Sequence, residues 1–81
     1  MTRTVTLYGR PGCHLCDEAL ETLERIRRTH PFQLDQQDIE ADDELFKRYL
    51  ELIPVIALDG EELFDFFVNE TALIARLESD A

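Results

Sequence analysis

Cysteine is scarce in this chain of 81 residues, which holds two, Cys13 and Cys16. That is too few for the disulfide framework that braces small secreted domains. Basic side chains are scarce as well: eight stand against eighteen acidic ones, for a net charge of −10. Nucleic acid and anionic membrane are therefore not expected as partners, because neither is drawn to a negative surface. A preferred protein partner would be basic. Long apolar runs are missing, so no segment is expected to span a bilayer, and the opening Met1-Thr-Arg-Thr carries no apolar targeting core. Repeats, low-complexity tracts and linkers are missing too. The expectation is one monomeric domain over residues 1–81, near the lower size limit for a core without staples. The default compartment is a reducing cytoplasm, where two thiols would be a working group rather than a brace.

What is present centres on Tyr8-Gly9-Arg10-Pro11-Gly12-Cys13-His14-Leu15-Cys16-Asp17. Residues three apart on a helix share a face, so Cys-x-x-Cys at a helix start brings both sulfurs within disulfide reach. With Cys13 as the first helical residue or its cap, its sulfur also meets unpaired N–H groups and the positive end of the helix dipole. Both favour the thiolate, the reactive form of cysteine.

The flanking sequence reads as alternating strands and helices. Residues from about 3 to 8 alternate, with Val5 and Leu7 on one face, and predict a strand that Gly9 to Gly12 break. A helix follows from about Cys13 to Thr29, with Cys16, Ala19, Leu20, Leu23 and Ile26 on its apolar stripe. Its charges run from acidic to basic along the axis and allow Glu21–Arg25 and Glu24–Arg28 pairs. His30-Pro31 closes it. A second strand from Phe32 to near Ile39 should lie parallel to the first through a right-handed crossover. Asp42, Asp43 and Glu44 open a shorter helix that buries Leu45, Phe46, Tyr49 and Leu50. Val55–Leu58 is a third strand, Asp59-Gly60 predicts a type I′ hairpin, and a fourth strand covers Glu62–Phe66. Asn69 caps a last helix, with Val68 and Leu73 placed as a hydrophobic staple.

This β-α-β-α-β-β-α order, with Cys-x-x-Cys at the first strand–helix junction and Ile53-Pro54-Val55 before the third strand, resembles the thioredoxin fold in its short glutaredoxin form. Tyr8-x-Arg10-Pro11-Gly12-Cys13-x-x-Cys16 is similar to the glutaredoxin active-site segment, and the Cys-His-Leu-Cys-Asp variant looks most like its glutaredoxin-like branch. The resemblance implies an α/β domain whose four-stranded mixed sheet is flanked by three helices. It implies a cis peptide at Pro54, packed against the cysteines, and an Ile53 backbone free to pair with an extended substrate. One segment departs from the family. After the fourth strand glutaredoxins carry a Gly-Gly turn and a polar pair that hold glutathione's γ-glutamyl end. Here the sequence is Asp65-Phe66-Phe67-Val68-Asn69-Glu70. Asp65 and Glu70 would oppose the carboxylates of glutathione, leaving Arg10 as the basic contact. Efficient glutathione use is not expected, although glutathione stays a candidate co-substrate.

The site residues follow. Cys13 is the expected nucleophile, its pKa lowered from about 8.5 toward the roughly 3.5–7.5 of helix-start cysteines. Asp17 and Glu18 oppose this, but a unit charge about 7 Å away in water costs only about 0.6 kcal/mol. Hydrogen bonds to a charged sulfur contribute about 1.5–3 kcal/mol, so the backbone donors should win. Cys16, on the apolar stripe, is the expected resolving thiol. Arg10 is a solvated charge or a contact to an anionic substrate group, and His14 a solvated side chain or a stabiliser of the thiolate. Phe64, Phe66 and Phe67 are read as core and edge packing rather than a binding platform, but at least one must point outward by alternation, which leaves a partial apolar patch beside the site open.

The expected activity is thiol–disulfide exchange on a disulfide-bearing protein or small thiol, without a bound cofactor. A reductant such as glutathione or a thioredoxin reductase-type donor would reset the pair. Two rivals remain: an adaptor with vestigial cysteines whose acidic face docks a basic partner, and a metal or cluster carrier. No metal site is expected, since structural zinc needs four defined ligands.

Overall fold

The computed structural model describes residues 3–79; Met1, Thr2 and the last two positions of the expected domain lie outside the described residues. Val5, Leu7 and Gly9 alternate inward along β1, Thr4–Gly9. The stripe of Cys16, Ala19, Leu23 and Ile26 on α1, His14–Thr29, is buried. These two faces pack with Phe32, Ile56, Leu58 and Leu73 into the main core. His30 caps the end of α1 by donating its N–H to the Ile26 carbonyl at 2.8 Å, and Pro31 then turns the chain away.

β2, Gln33–Asp38, pairs parallel to β1, and its other edge is open. Its sequence, Gln-Leu-Asp-Gln-Gln-Asp, is polar and largely exposed, which suits a strand with one unpaired edge. The strand stops one residue short of the expected Ile39, because the Asp38 carboxylate accepts from the Glu40 N–H at 2.9 Å and starts a 3-10 turn, Ile39–Ala41. Asp42 likewise caps α2, Asp43–Tyr49, by accepting from Glu44 and Leu45. Leu50, expected in the core, is exposed beyond the end of this helix.

β3, Val55–Leu58, is the central antiparallel strand and is buried on both faces. Asp59 and Gly60 both take positive φ, 50° and 90°, as a type I′ turn requires. β4, Glu61–Asp65, pairs back on β3 with a bulge at Leu63. α3, Glu70–Ser79, starts where the Asn69 side chain accepts from the Ala72 N–H at 3.1 Å. Val68 and Leu73 both join the main core. The sheet order is β2-β1-β3-β4, mixed, with three helices, a thioredoxin-like α/β architecture. Among the described residues no helix is long and apolar enough to cross a membrane.

The expected ion pairs within α1 are replaced. Arg25 reaches Glu70 of α3 through both carboxylate oxygens at 3.1 Å instead of Glu21. Glu24 pairs with Arg27 at 3.2 Å instead of Arg28. For Arg25, a two-point bond between neighbouring helices outcompetes a single contact along one exposed helix face; Glu24–Arg27 exchanges one such contact for another.

Candidate active site

One end of the sheet collects the site. Strand register sets Gly9 beside Asp38 on β2. Tyr8 faces Val55, so the next pair along is Gly9 and Pro54. Val55 faces Asp65, and beyond it the Phe66 N–H donates to the Pro54 carbonyl at 2.9 Å. The row Asp38, Gly9, Pro54, Phe66 thus runs along one end of the sheet, through the last residues of β2 and β1 and the residues that flank β3 and β4. From Gly9 the chain turns through Arg10, Pro11 and Gly12, which takes φ +79°, into Cys13. Open α/β sheets place ligands at such strand ends.

Cys13 caps α1 in an extended conformation, and its sulfur accepts the Cys16 N–H at 3.2 Å. Its carbonyl accepts from Asp17 N–H at 3.1 Å and closes the first helical turn. Cys13 and Cys16 are joined in a disulfide with Cα atoms 5.2 Å apart. Cys13 is half-buried, whereas Cys16 retains 6% exposure. One sulfur can be approached and the other is sheltered. The shelter is made partly by Gly9, where a Cβ would stand 2.9 Å from the Cys16 sulfur. Sequence reading took Gly9 only as a strand breaker. Extending the inward alternation Val5, Leu7, Gly9 would have placed it against the helix stripe that carries Cys16.

The Ile53–Pro54 peptide is cis and Pro54 is fully buried. The Ile53 backbone, expected to be free for an extended substrate, is engaged on one side. Its N–H donates to the Tyr49 carbonyl at 3.0 Å, while its carbonyl accepts no bond from a described residue. The loop is held from below by α2. The Tyr49 hydroxyl donates to Glu62 at 2.5 Å, and its ring stacks on Tyr8 at 4.6 Å. Burial, then the Glu62 bond, pushes the Tyr49 hydroxyl up to about 12.

Arg10 and His14 stand on the exposed rim. Arg10 lies 3.7 Å from Glu40, and His14, with 88% of its side chain exposed, lies 3.3 Å from Glu18. A cleft of about 290 Å³ between α1 and β2 runs past Arg10, Asp17, Gln36 and Asp38 to Cys16. Glu70, expected as a bare acid beside the site, is neutralised by Arg25, whose guanidinium pKa that bond raises. Asp65 faces no cation in an ion pair among the described residues. Among the described residues no His, Cys, Asp and Glu gather in threes to hold a metal ion.

A family model described as Glutaredoxin-like domain (DUF836) matches residues 4–78. No curated protein matches the chain. A protein of X. campestris, solved by X-ray crystallography, is 33% identical, with 95% of this chain and 99% of that one covered and a TM-score of 0.76. A protein of Nitrosomonas europaea, solved by NMR, is 28% identical over 94% of this chain and 92% of that one, with a TM-score of 0.83. Thioredoxin of Fasciola hepatica, at 20% identity over 99% of this chain and 82% of that one, shares the fold with a TM-score of 0.67.

Proposed function

The chain belongs to the glutaredoxin-like domain family, and from that premise we propose that it is a thiol–disulfide oxidoreductase in which Cys13 attacks and Cys16 resolves. The observation that carries this reading is the inequality of the two sulfurs. The reachable one sits at a helix start with a backbone N–H aimed at it, and the sheltered one lies a single turn away. In the reduced pair the same N–H and the helix dipole stabilise a Cys13 thiolate.

That thiolate attacks one sulfur of a substrate disulfide. A bond forms between Cys13 and that sulfur, the substrate bond breaks, and the leaving thiolate takes a proton. Cys16, deprotonated, then attacks the Cys13 sulfur, which restores the intramolecular disulfide and releases the second substrate thiol. Two electrons have passed to the substrate. An external dithiol, or two molecules of a monothiol such as glutathione, returns them. Arg10 and His14 on the rim, the Ile53 carbonyl and Pro54 frame the approach to Cys13. The reaction needs no bound cofactor or metal, and a monomer working in a reducing cytoplasm suffices for it.

Replacing Cys16 with Ser removes the second step, so a mixed disulfide through Cys13 should accumulate and appear as the added substrate mass. Cys13→Ser should abolish disulfide reduction; full activity in that variant would overturn the assignment. A reduction potential far below the cytosolic glutathione range of about −220 to −320 mV would instead mark the cysteines as vestigial.

A further inference from the structure

β4 leads straight into two phenylalanines. Phe66 takes φ +67°, a left-handed conformation that strains a residue with a side chain. Its N–H is bonded to the carbonyls of Pro54 and Leu52, which fixes it to the proline loop. Phe64 of the same strand is partly buried and packs against the main core, whereas Phe66 is turned outward enough to be exposed. The rings of Phe66 and Phe67 are 45% and 68% exposed. Leu52 and Leu15, the latter carried between the two cysteines, are exposed as well. Strain held beside a reactive centre to present an apolar surface is the mark of a binding element.

The charges around this surface have one sign in excess. Arg10, Arg25 and Arg48 each face a carboxylate, Glu40, Glu70 and Glu62. Asp17, Glu51 and Asp65 face no cation in an ion pair among the described residues.

We propose that Phe66 and Phe67 form the docking surface for a protein substrate, a segment with a large apolar residue beside its disulfide cysteine and lysine or arginine close by. Glutathione has neither feature: it carries a net negative charge and no apolar side chain. This inference rests on the proposed reductase chemistry and names its substrate class. The exchange is the two-electron step already written, with the peptide disulfide as oxidant and the Cys13/Cys16 dithiol as reductant.

The test is a single turnover of the reduced protein under anaerobic conditions against four disulfides. Two are synthetic peptides with the same disulfide ring, one flanked by Leu and Lys, the other by Ser and Asp. The third is hydroxyethyl disulfide, small and uncharged, and the fourth is glutathione disulfide. Each rate is divided by that of a small uncharged dithiol, which removes intrinsic differences in reactivity. The Leu/Lys peptide should react at least about tenfold faster than the Ser/Asp peptide at low salt, and sodium chloride should shrink but not erase that ratio. Phe67→Ser should lower the ratio that persists at high salt. Phe66→Gly, which keeps the left-handed backbone available, should lower the same ratio while hydroxyethyl disulfide reacts at the wild-type rate, a combination that a purely structural role does not produce. Equal peptide rates, or a preference for glutathione disulfide, would overturn the docking proposal as long as hydroxyethyl disulfide still reacts. Failure to reduce any of the four would overturn the oxidoreductase reading itself.

Discussion

Gly9 shows how a single missing methyl group arranges a reactive centre. A Cβ there would meet the Cys16 sulfur at 2.9 Å and the Cys16 Cβ at 3.2 Å. In the oxidised protein neither atom can swing aside, because the disulfide ties them to Cys13. Gly9→Ala should therefore cost the oxidised form about 1–3 kcal/mol, the usual penalty for an extra methyl in a filled space. The reduced form should lose less, since a free Cys16 thiol can rotate. The disulfide of the variant should then be easier to reduce, by about 30 mV for each 1.4 kcal/mol of difference. Urea midpoints of both redox forms, with the potential measured beside them, check this; equal losses in the two forms would remove Gly9 as a positioning residue. That Gly9 to Gly12 end the strand was legible, because a break depends on local residue types, whereas the fit of Gly9 against Cys16 depends on a neighbouring element.

At the scale of elements, much could be read directly because it repeats locally. The alternation in β1, the stripe of α1 and the Asp59-Gly60 hairpin each depend on residues a few positions apart, and each forms where expected. The ion pairs of α1 and the pairing of Tyr49 with Glu62 were not legible, because their partners come from other elements and only packing brings them together. Tyr49 was expected in the core from its helical spacing, and it lies there. Its hydroxyl bond to β4 is one tie between α2 and the sheet, beside the bonds that the Phe66 N–H makes to the Leu52 and Pro54 carbonyls. The folded chain holds the Tyr49 proton up to about 12 rather than the ordinary 10.0. A pKa raised by folding contributes stability that is complete below pH 10.0 and disappears as the pH rises through about 12. The wild-type chain should therefore lose urea resistance across that window relative to Tyr49→Phe. The variant should be weaker by about 1 kcal/mol at neutral pH, the worth of an ordinary hydrogen bond. Parallel stability profiles from pH 10.0 to 12 would count against the bond.

Across the whole molecule, eighteen acids outnumber eight bases. Six arginines already face carboxylates: Arg3 with Asp59, Arg10 with Glu40, Arg25 with Glu70, Arg27 with Glu24, Arg48 with Glu62 and Arg76 with Glu61. Exposed pairs of this kind contribute about 0–1 kcal/mol each. The excess negative charge, spread across the surface, opposes compaction. Salt acts unequally on the two effects. The screening length falls from about 30 Å at 0.01 M to about 8 Å at 0.15 M, which removes repulsion across the molecule while contact pairs still lie inside that length. Sodium chloride added over this range should therefore raise the melting temperature, by about 4–8 °C for each kcal/mol of repulsion relieved in a domain of this size. A fall in melting temperature would mean that the ion pairs, not the excess charge, dominate. The same field draws in cationic segments, so conditions that stabilise the free protein should also slow its encounter with a basic substrate. A rise in melting temperature with salt, matched by a falling rate for the Leu/Lys peptide, would trace both effects to the charge that the sequence places on this fold.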